Sequence, residues 1–427
     1  MNVSNVASSK KRWLKWSLLT VGVMALLGAG LAVLTRDLPI PKPSGPYGVG
    51  FTETELQTTG GASSRVLALD IWYPARTTEG HAAEPYTTAL LNREIAKSMN
   101  LPAVLGTITP SYSFRNAPVL EGQHPVVVFN HGFASFTRQN FSNFQELASH
   151  GYLVISIGHP GDSLVSRGAQ GQPILLNSQS PDHLAVMEAQ KDLNVFLDHH
   201  ANLLEQQRTA RDFPSYLQVS QQLAQIAPFL QLKDRIDRWI QDTQGVLDAL
   251  QTHPQGILSH ANAQQVVLMG HSLGGVVTQH FAQHPSAGIR GIINLDAPFI
   301  QRDQTWTEMQ VPSLNLLSTH NTMKGRDLSL ARTLDPLFQH SSAGSHVLEF
   351  PNTAHYNFTD LNHVQALRFT PMLGKVDGLK MERWLNTAVL TFLQRLNDPH
   401  DPVALQQSLL NDPEVHEVFF RPRRSHD

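Results

Sequence analysis

Short, unbroken apolar runs bounded by turn residues recur along the middle of the chain. They are Pro125–Phe129, Tyr152–Ile157, Gln265–Met269, Ile289–Leu295, Ser313–Ser318 and His346–Phe350. Runs of this length without polar alternation are what strands covered on both faces require. Between them the apolar period becomes helical, over Phe141–His150 and Gly274–Gln283. Strands alternating with helices predict βαβ units and a mostly parallel sheet flanked by helices. Upstream, Gly48–Leu56 and Arg65–Tyr73 predict two strands joined by a turn at Gly60–Gly61. The stretch Glu84–Val119, with Pro102, Pro110 and Pro118, predicts a short helix followed by an irregular loop. Near the end, Met381, Trp384, Leu385, Ala388, Val389, Phe392, Leu393 and Leu396 fall on one face of a helix that packs on the sheet.

The rhythm breaks between Ser163 and Gly256. Asp234–Leu250 suits an ordinary crossover helix, with Ile236, Ile240, Val246 and Leu247 apolar. The Gln-rich stretch before it exceeds what a crossover needs, so residues 163–232 predict a helical cap or lid. Functional loops gather at the carboxyl ends of parallel strands, which favours that position. A helical pair packed away from the site is the alternative. At the start, Lys10, Lys11, Arg12 and Lys15 precede an uncharged apolar run from Ser17 to Leu34. Residues 1–36 therefore predict a signal peptide, or an uncleaved signal anchor through which the protein meets the membrane. Either outcome puts the remainder outside the cytoplasm, periplasmic or extracellular or anchored there. Residues 37–47 form a Pro-rich tether, 48–397 the main domain and 398–427 a peripheral C-terminal tail.

Composition narrows the chemistry. Among 427 residues, Lys and Arg total 32 against 35 Asp and Glu, and no long basic block occurs, which excludes a nucleic-acid binder. The chain has no cysteine, which removes thiol catalysis, disulfides, iron–sulfur clusters and thiolate zinc sites. Oxygen and nitrogen chemistry remains.

Gly270-His271-Ser272-Leu273-Gly274 is a G-x-S-x-G element that leaves one predicted strand and enters a predicted helix. In that context the serine occupies a sharp, strained turn, with Gly270 and Gly274 allowing close approach of the flanking segments. The helix N-terminus favours developing negative charge. A serine hydroxyl needs a base, and most of the 21 histidines must be bystanders. His355 lies on the loop after the last predicted strand, the expected position. His320, His340 and His346 come before or within that strand. The acid is Asp296, at the carboxyl end of Ile289–Leu295, or Asp327, in the loop after the next strand. An oxyanion hole needs the N–H of Leu273 and one from the loop Asn130–Phe136, where Phe133 is the expected donor and His131 a structural brace.

Taken together, these residues resemble the platelet-activating-factor acetylhydrolase family, the secreted or lipoprotein-associated phospholipase type, within the α/β-hydrolase fold. The stretches that carry the resemblance are 70–74 (DIWYP), 115–120 (RNAPVL), 129–133 (FNHGF), 148–152 (ASHGY), 270–275 (GHSLGG), 295–297 (LDA) and 355–360 (HYNFTD). The resemblance implies a Ser272–His355–Asp296 triad, with Asp296 rather than Asp327 as the acid and Phe133 as the second oxyanion donor. It also implies no metal or other cofactor, and a small lipid-like ester with a short acyl chain as substrate. The chain departs from the family at Pro298, where animal members have Trp, and in the length of its insertion. Both border the acyl pocket or its entrance.

Overall fold

The computed structural model describes residues 40–58, 64–98, 110–168, 171–191, 200–252, 254–300, 306–319, 322–323, 326–327, 334, 343–364, 367, 372–397 and 412–421. The apolar run Ser17–Leu34, residues 37–39 of the tether and the Gly60–Gly61 turn lie outside these residues. No helix among the described residues is long and apolar enough to cross a membrane.

Along the chain, β1 (Gly48–Gln57) and β2 (Val66–Ala75) form an antiparallel pair. They are followed by β3 (Ala83–Pro85), α1 (Ala89–Ser98) and β4 (Pro110–Arg115). Then come β5 (His124–Asn130), α2 (Phe141–Ser149) and β6 (Leu153–Gly158). The insertion holds a small ribbon, β7 (Val165–Arg167) with β8 (Pro173–Leu175), and three helices, α3 (Pro181–Lys191), α4 (Ala201–Thr209) and α5 (Phe213–Ala224). The long α6 (Ala227–Thr252) returns to β9 (Ala261–His271), α7 (Leu273–Gln283), β10 (Ile289–Leu295) and β11 (Ser313–Ser318). A short ribbon of β12 (Thr322–Met323) and β13 (Arg326–Asp327) precedes β14 (Ser345–Phe350), α8 (Gly378–Asn397) and β15 (His416–Arg421).

Eleven strands make one sheet in the order β15-β14-β11-β10-β9-β5-β6-β2-β1-β4-β3. From β6 to β14 every pairing is parallel. Alternate side chains of each central strand enter opposite layers, as the period of two demands. Val126 and Val128 of β5, with Val266 and Leu268 of β9, pack against Trp239, Val246, Val277 and Phe281 of α6 and α7. Val127, Phe129, Val267 and Met269 point the other way, onto Phe144 of α2 and Val389 and Phe392 of α8. Both faces are covered, which explains why the strands read as continuous apolar runs. This is the α/β-hydrolase fold.

Two segments depart from the hydrophobic reading. The stretch Glu84–Val119, read as a short helix followed by an irregular loop, does hold the helix α1, but β3 comes before it and β4 stands where the loop was read. On β4 the buried positions are Ser111 and Ser113 while Tyr112 is exposed, so the alternation is present but inverted in polarity. The Ser111 hydroxyl donates to Glu84 O at 2.7 Å, which satisfies it inside the sheet edge. In the C-terminal tail, β15 pairs antiparallel with β14.

Candidate active site

The site begins at the carboxyl edge of β9. Ser272 has φ 54° and ψ −121°, a left-handed conformation that a non-glycine residue adopts only under constraint from its surroundings. The constraints are visible. Ser272 N donates to Leu295 O at 3.0 Å, and Ser272 O accepts from Gly275 N at 2.9 Å. A Cβ on Gly270 would stand 2.2 Å from Gly274 O, and one on Gly274 would stand 2.0 Å from Asn130 O. Only hydrogen fits at either position, so both glycines are required for the turn to close against β5.

Asp296 continues directly from β10 and also has a positive φ, 54°, which the short Asp side chain tolerates better than most. Its backbone N–H still bonds Leu316 O at 2.8 Å, while its side chain turns to the site. Asp296 Oδ1 accepts from Ser318 N at 2.8 Å, and Oδ2 from the Ser318 hydroxyl at 3.1 Å. Oδ2 also receives His355 Nδ1–H at 2.8 Å. Burial opposes the charge on Asp296, but the hydrogen bond and charge of His355 and the Ser318 N–H outweigh it and hold the carboxyl below its ordinary value. Asp327 belongs to the short ribbon β12–β13 instead.

His355 opens a single 3₁₀ turn (His355–Phe358) after β14, and its side chain is 34% exposed. It is thus partnered on the protein side and open on the other. Its loop is tied on several sides: Asn357 Oδ1 accepts from Ala354 N and Gly374 N, each at 2.7 Å, and Asn140 Nδ2 donates to Phe358 O at 2.7 Å. His346 is in β14, where Arg395 contacts its ring, and belongs to the sheet rather than the site.

The loop after β5 lies against Ser272. A Cβ on Gly132 would stand 3.5 Å from Ser272 Cβ. Gly132 N is occupied by Gln139 Oε1 at 2.9 Å, whereas neither the Phe133 nor the Leu273 N–H donates to a protein acceptor among the described residues. Two N–H groups are therefore available beside the serine.

Several residues that support this loop carry no sequence motif. His131 Nδ1–H donates to Gly132 O at 2.7 Å, and its Nε2 accepts from the Ser163 hydroxyl at 2.6 Å. Burial pushes His131 down to about 3, so it is neutral. Ser163 in turn accepts from His159 N at 2.8 Å, His159 Nδ1 meets Asp242 Oδ2 at 2.9 Å, and Arg65 Nε meets Asp242 Oδ1 at 2.8 Å. These serine, histidine and aspartate side chains are buried, so they brace the loop instead of meeting a substrate. Trp239 stacks on His159 at 3.9 Å. One signal was readable in advance. Asp242 lies on the face of α6 that also carries Trp239 and Val246, a charge inside an apolar stripe.

The insertion reaches the same loop. His183 of α3 stacks on the Phe133 ring at 5.3 Å. The guanidinium of Arg235, on α6, lies 4.7 Å from the centre of that ring. Arg235 is fully buried between Asp162, at 3.1 Å, and Asp182, at 2.9 Å.

The sheet order, the covering helices and the glycine-lined turn after β9 define a member of the α/β-hydrolase class. A solved structure, the ferulic acid esterase from Streptomyces cinnamoneus, superimposes with a TM-score of 0.61 at 17% identity, covering 89% of this chain and 99% of that one. The chain belongs to the family described as platelet-activating factor acetylhydrolase, isoform II, which it matches over residues 33–411. The platelet-activating factor acetylhydrolase of Cavia porcellus is 29% identical over 133 residues, 29% of each chain. That of Canis lupus familiaris is 29% identical over 141 residues, 30% of each. These alignments span about three tenths of the curated relatives' length.

Proposed function

We propose that this chain is a serine carboxylic-ester hydrolase in which Ser272 is the nucleophile, His355 the general base and acid, and Asp296 the group that orients the imidazole. The observation that carries the reading is the 2.8 Å bond between His355 Nδ1 and the buried Asp296 carboxylate, made beside the strained turn of Ser272. With Nδ1–H given to Asp296, the lone pair of His355 rests on Nε2, the nitrogen that takes the serine proton. Ser272 Oγ bonds to the ester carbon, the carbonyl oxygen becomes an oxyanion, and the Phe133 and Leu273 N–H groups receive it. His355 then returns the proton to the leaving alcohol. Water repeats the sequence on the acyl-enzyme and releases the acid.

Family membership supports a lipid-like alcohol and a short acyl chain as the substrate, for which Phe133, Phe136 and Phe299 are the proposed apolar wall. The His183–Phe133 stack supports the insertion 163–232 as a cap over this site. The cationic flank and apolar run at the N-terminus support a catalytic domain outside the cytoplasm.

The test is hydrolysis of p-nitrophenyl esters of rising acyl length by wild type and Ser272→Ala. Wild type is expected to turn over the shortest esters fastest, and the variant to lose on the order of 10⁴-fold or more in kcat. Equal rates for the two proteins overturn the mechanism. A preference for long chains overturns the substrate class alone.

A further inference from the structure

His271, the residue just before the serine, has no part in the mechanism above, yet it touches both segments that serve it. Its Nε2 lies 3.1 Å from the backbone oxygen of His355. A carbonyl oxygen only accepts, so Nε2 carries the proton and Nδ1 is a bare lone pair. That lone pair is buried without a hydrogen-bond partner. It faces the loop after β5, where a Cβ on Gly132 would stand 3.0 Å from it. A side chain at Gly132 would press first on this ring, and then on Gln139 Oε1 at 3.3 Å and Ser272 Cβ at 3.5 Å. The rings of His271 and His355 are 4.5 Å apart.

We propose that His271 is a positioning residue: one imidazole, fixed by the chain to Ser272, holds the backbone of His355 on one side and sets the distance of the oxyanion loop on the other. The inference rests on the roles proposed for Ser272, His355 and Phe133. Its physical content is that three catalytic elements, the loop at Gly132, the turn at Ser272 and the loop at His355, share a single spacer, although His271 and His355 alone are 84 positions apart. Misplacement of a reacting group by about 1 Å costs on the order of 100-fold in rate.

The charge state matters as much as the shape. Burial is the main force that pushes His271 down to about 3, reinforced by the charge His355 acquires and opposed by the bond to His355 O and by Asp296. The other titratable group near the ring is His131, which burial also keeps neutral. A neutral His271 leaves His355, paired with Asp296, as the one imidazole of the pair that takes the serine's proton. A second imidazolium at ring-contact distance would oppose that step.

Glutamine and asparagine separate the two halves of the ring. The amide nitrogen of Gln occupies the position of Nε2 and keeps the donor to His355 O, whereas that of Asn corresponds to Nδ1 and loses it. With p-nitrophenyl acetate, His271→Asn is expected to lose on the order of 100-fold in kcat with KM changed less than about threefold. It should also shift the acidic limb of its pH–rate profile, while His271→Gln recovers most of the rate. Equal kcat in the two variants, whether both high or both low, overturns the proposal. Nitrogen NMR of the ¹⁵N-histidine-labelled wild type is a second check that needs no variant. His271 is expected to stay neutral and Nε2-protonated from about pH 5 to 8. A ring that titrates in that interval overturns the proposal. Failure of the catalytic reading itself is separate: it appears as activity surviving in Ser272→Ala.

Discussion

Asp296 concentrates three constraints in one side chain. It is buried, its backbone sits at φ 54°, and its carboxylate accepts from His355 and from both the N–H and the hydroxyl of Ser318. An isolated carboxylate in such a place would be neutral; this one stays charged because three donors replace water. Asp296→Asn keeps the shape but offers a donor where His355 Nδ1–H needs an acceptor, so the imidazole turns its other tautomer to the serine. The expected loss is about 10⁴-fold in kcat, at near-normal KM and unchanged circular dichroism. Steady-state kinetics on one short-acyl ester checks it, and a loss below about tenfold would remove Asp296 from the proposed triad.

The strand β9, the turn at Ser272 and helix α7 act as one element whose closure depends on missing β-carbons. The strained serine costs on the order of 1–3 kcal/mol, held by the bonds to Leu295 O and from Gly275 N. Gly274→Ala drives a methyl to within 2.0 Å of Asn130 O, backbone that has no soft way to yield. It is expected to destabilise the fold by about 4 kcal/mol or more and to abolish activity. Gly161 is the control: its φ is +80° but an added Cβ meets nothing within 4 Å. Gly161→Ala should cost only about 1–2 kcal/mol, the strain of the left-handed backbone. Urea denaturation of the two variants checks the contrast. The pattern of apolar runs marked β9 and α7 well, because both are buried by apolar neighbours. It missed β4, whose buried residues are the serines Ser111 and Ser113, since a hydrophobic pattern cannot register a strand whose interior positions are small and polar.

Across the whole molecule, the His355 loop is fastened to the start of α2 by Asp360, 218 positions from Ser142. Its carboxylate accepts from Ser142 N at 3.0 Å and from the Ser142 hydroxyl. His363, in the same segment, meets Glu382 of α8 at 3.2 Å. Burial pushes Asp360 up to about 7 from an ordinary value of 3.8, against the pull of His363 and the Ser142 donors. The sign follows: between these values the fold binds a proton that the unfolded chain releases. This contribution is therefore complete below about pH 4, falls as pH rises and is lost by about pH 7. Asp360→Asn carries no such titration. The difference in Tm between variant and wild type is expected to move in the variant's favour from pH 4 to 7 and then level off. A difference that stays constant across that range would mean Asp360 is not the group responsible.

What the chain's own sequence determined is whatever depends on near neighbours. Continuous apolar runs specify strands covered on both faces, a helical stripe specifies α8, and Gly270 and Gly274 around Ser272 specify a sharp turn, because each is a matter of local period or local sterics. His355 and Asp296 were legible through chain order and family resemblance; nothing local separated Asp296 from Asp327. Only the tertiary structure decided which carboxylate faces the imidazole, since the pair is 59 positions apart and meets where β10 and β14 end on the same edge of the sheet. The brace of Arg65, Asp242, His159 and Ser163, the Arg235 clamp over Phe133 and the spacing role of His271 belong to the same category. Buried polar groups choose partners by geometry in three dimensions, and a linear pattern carries no record of that choice.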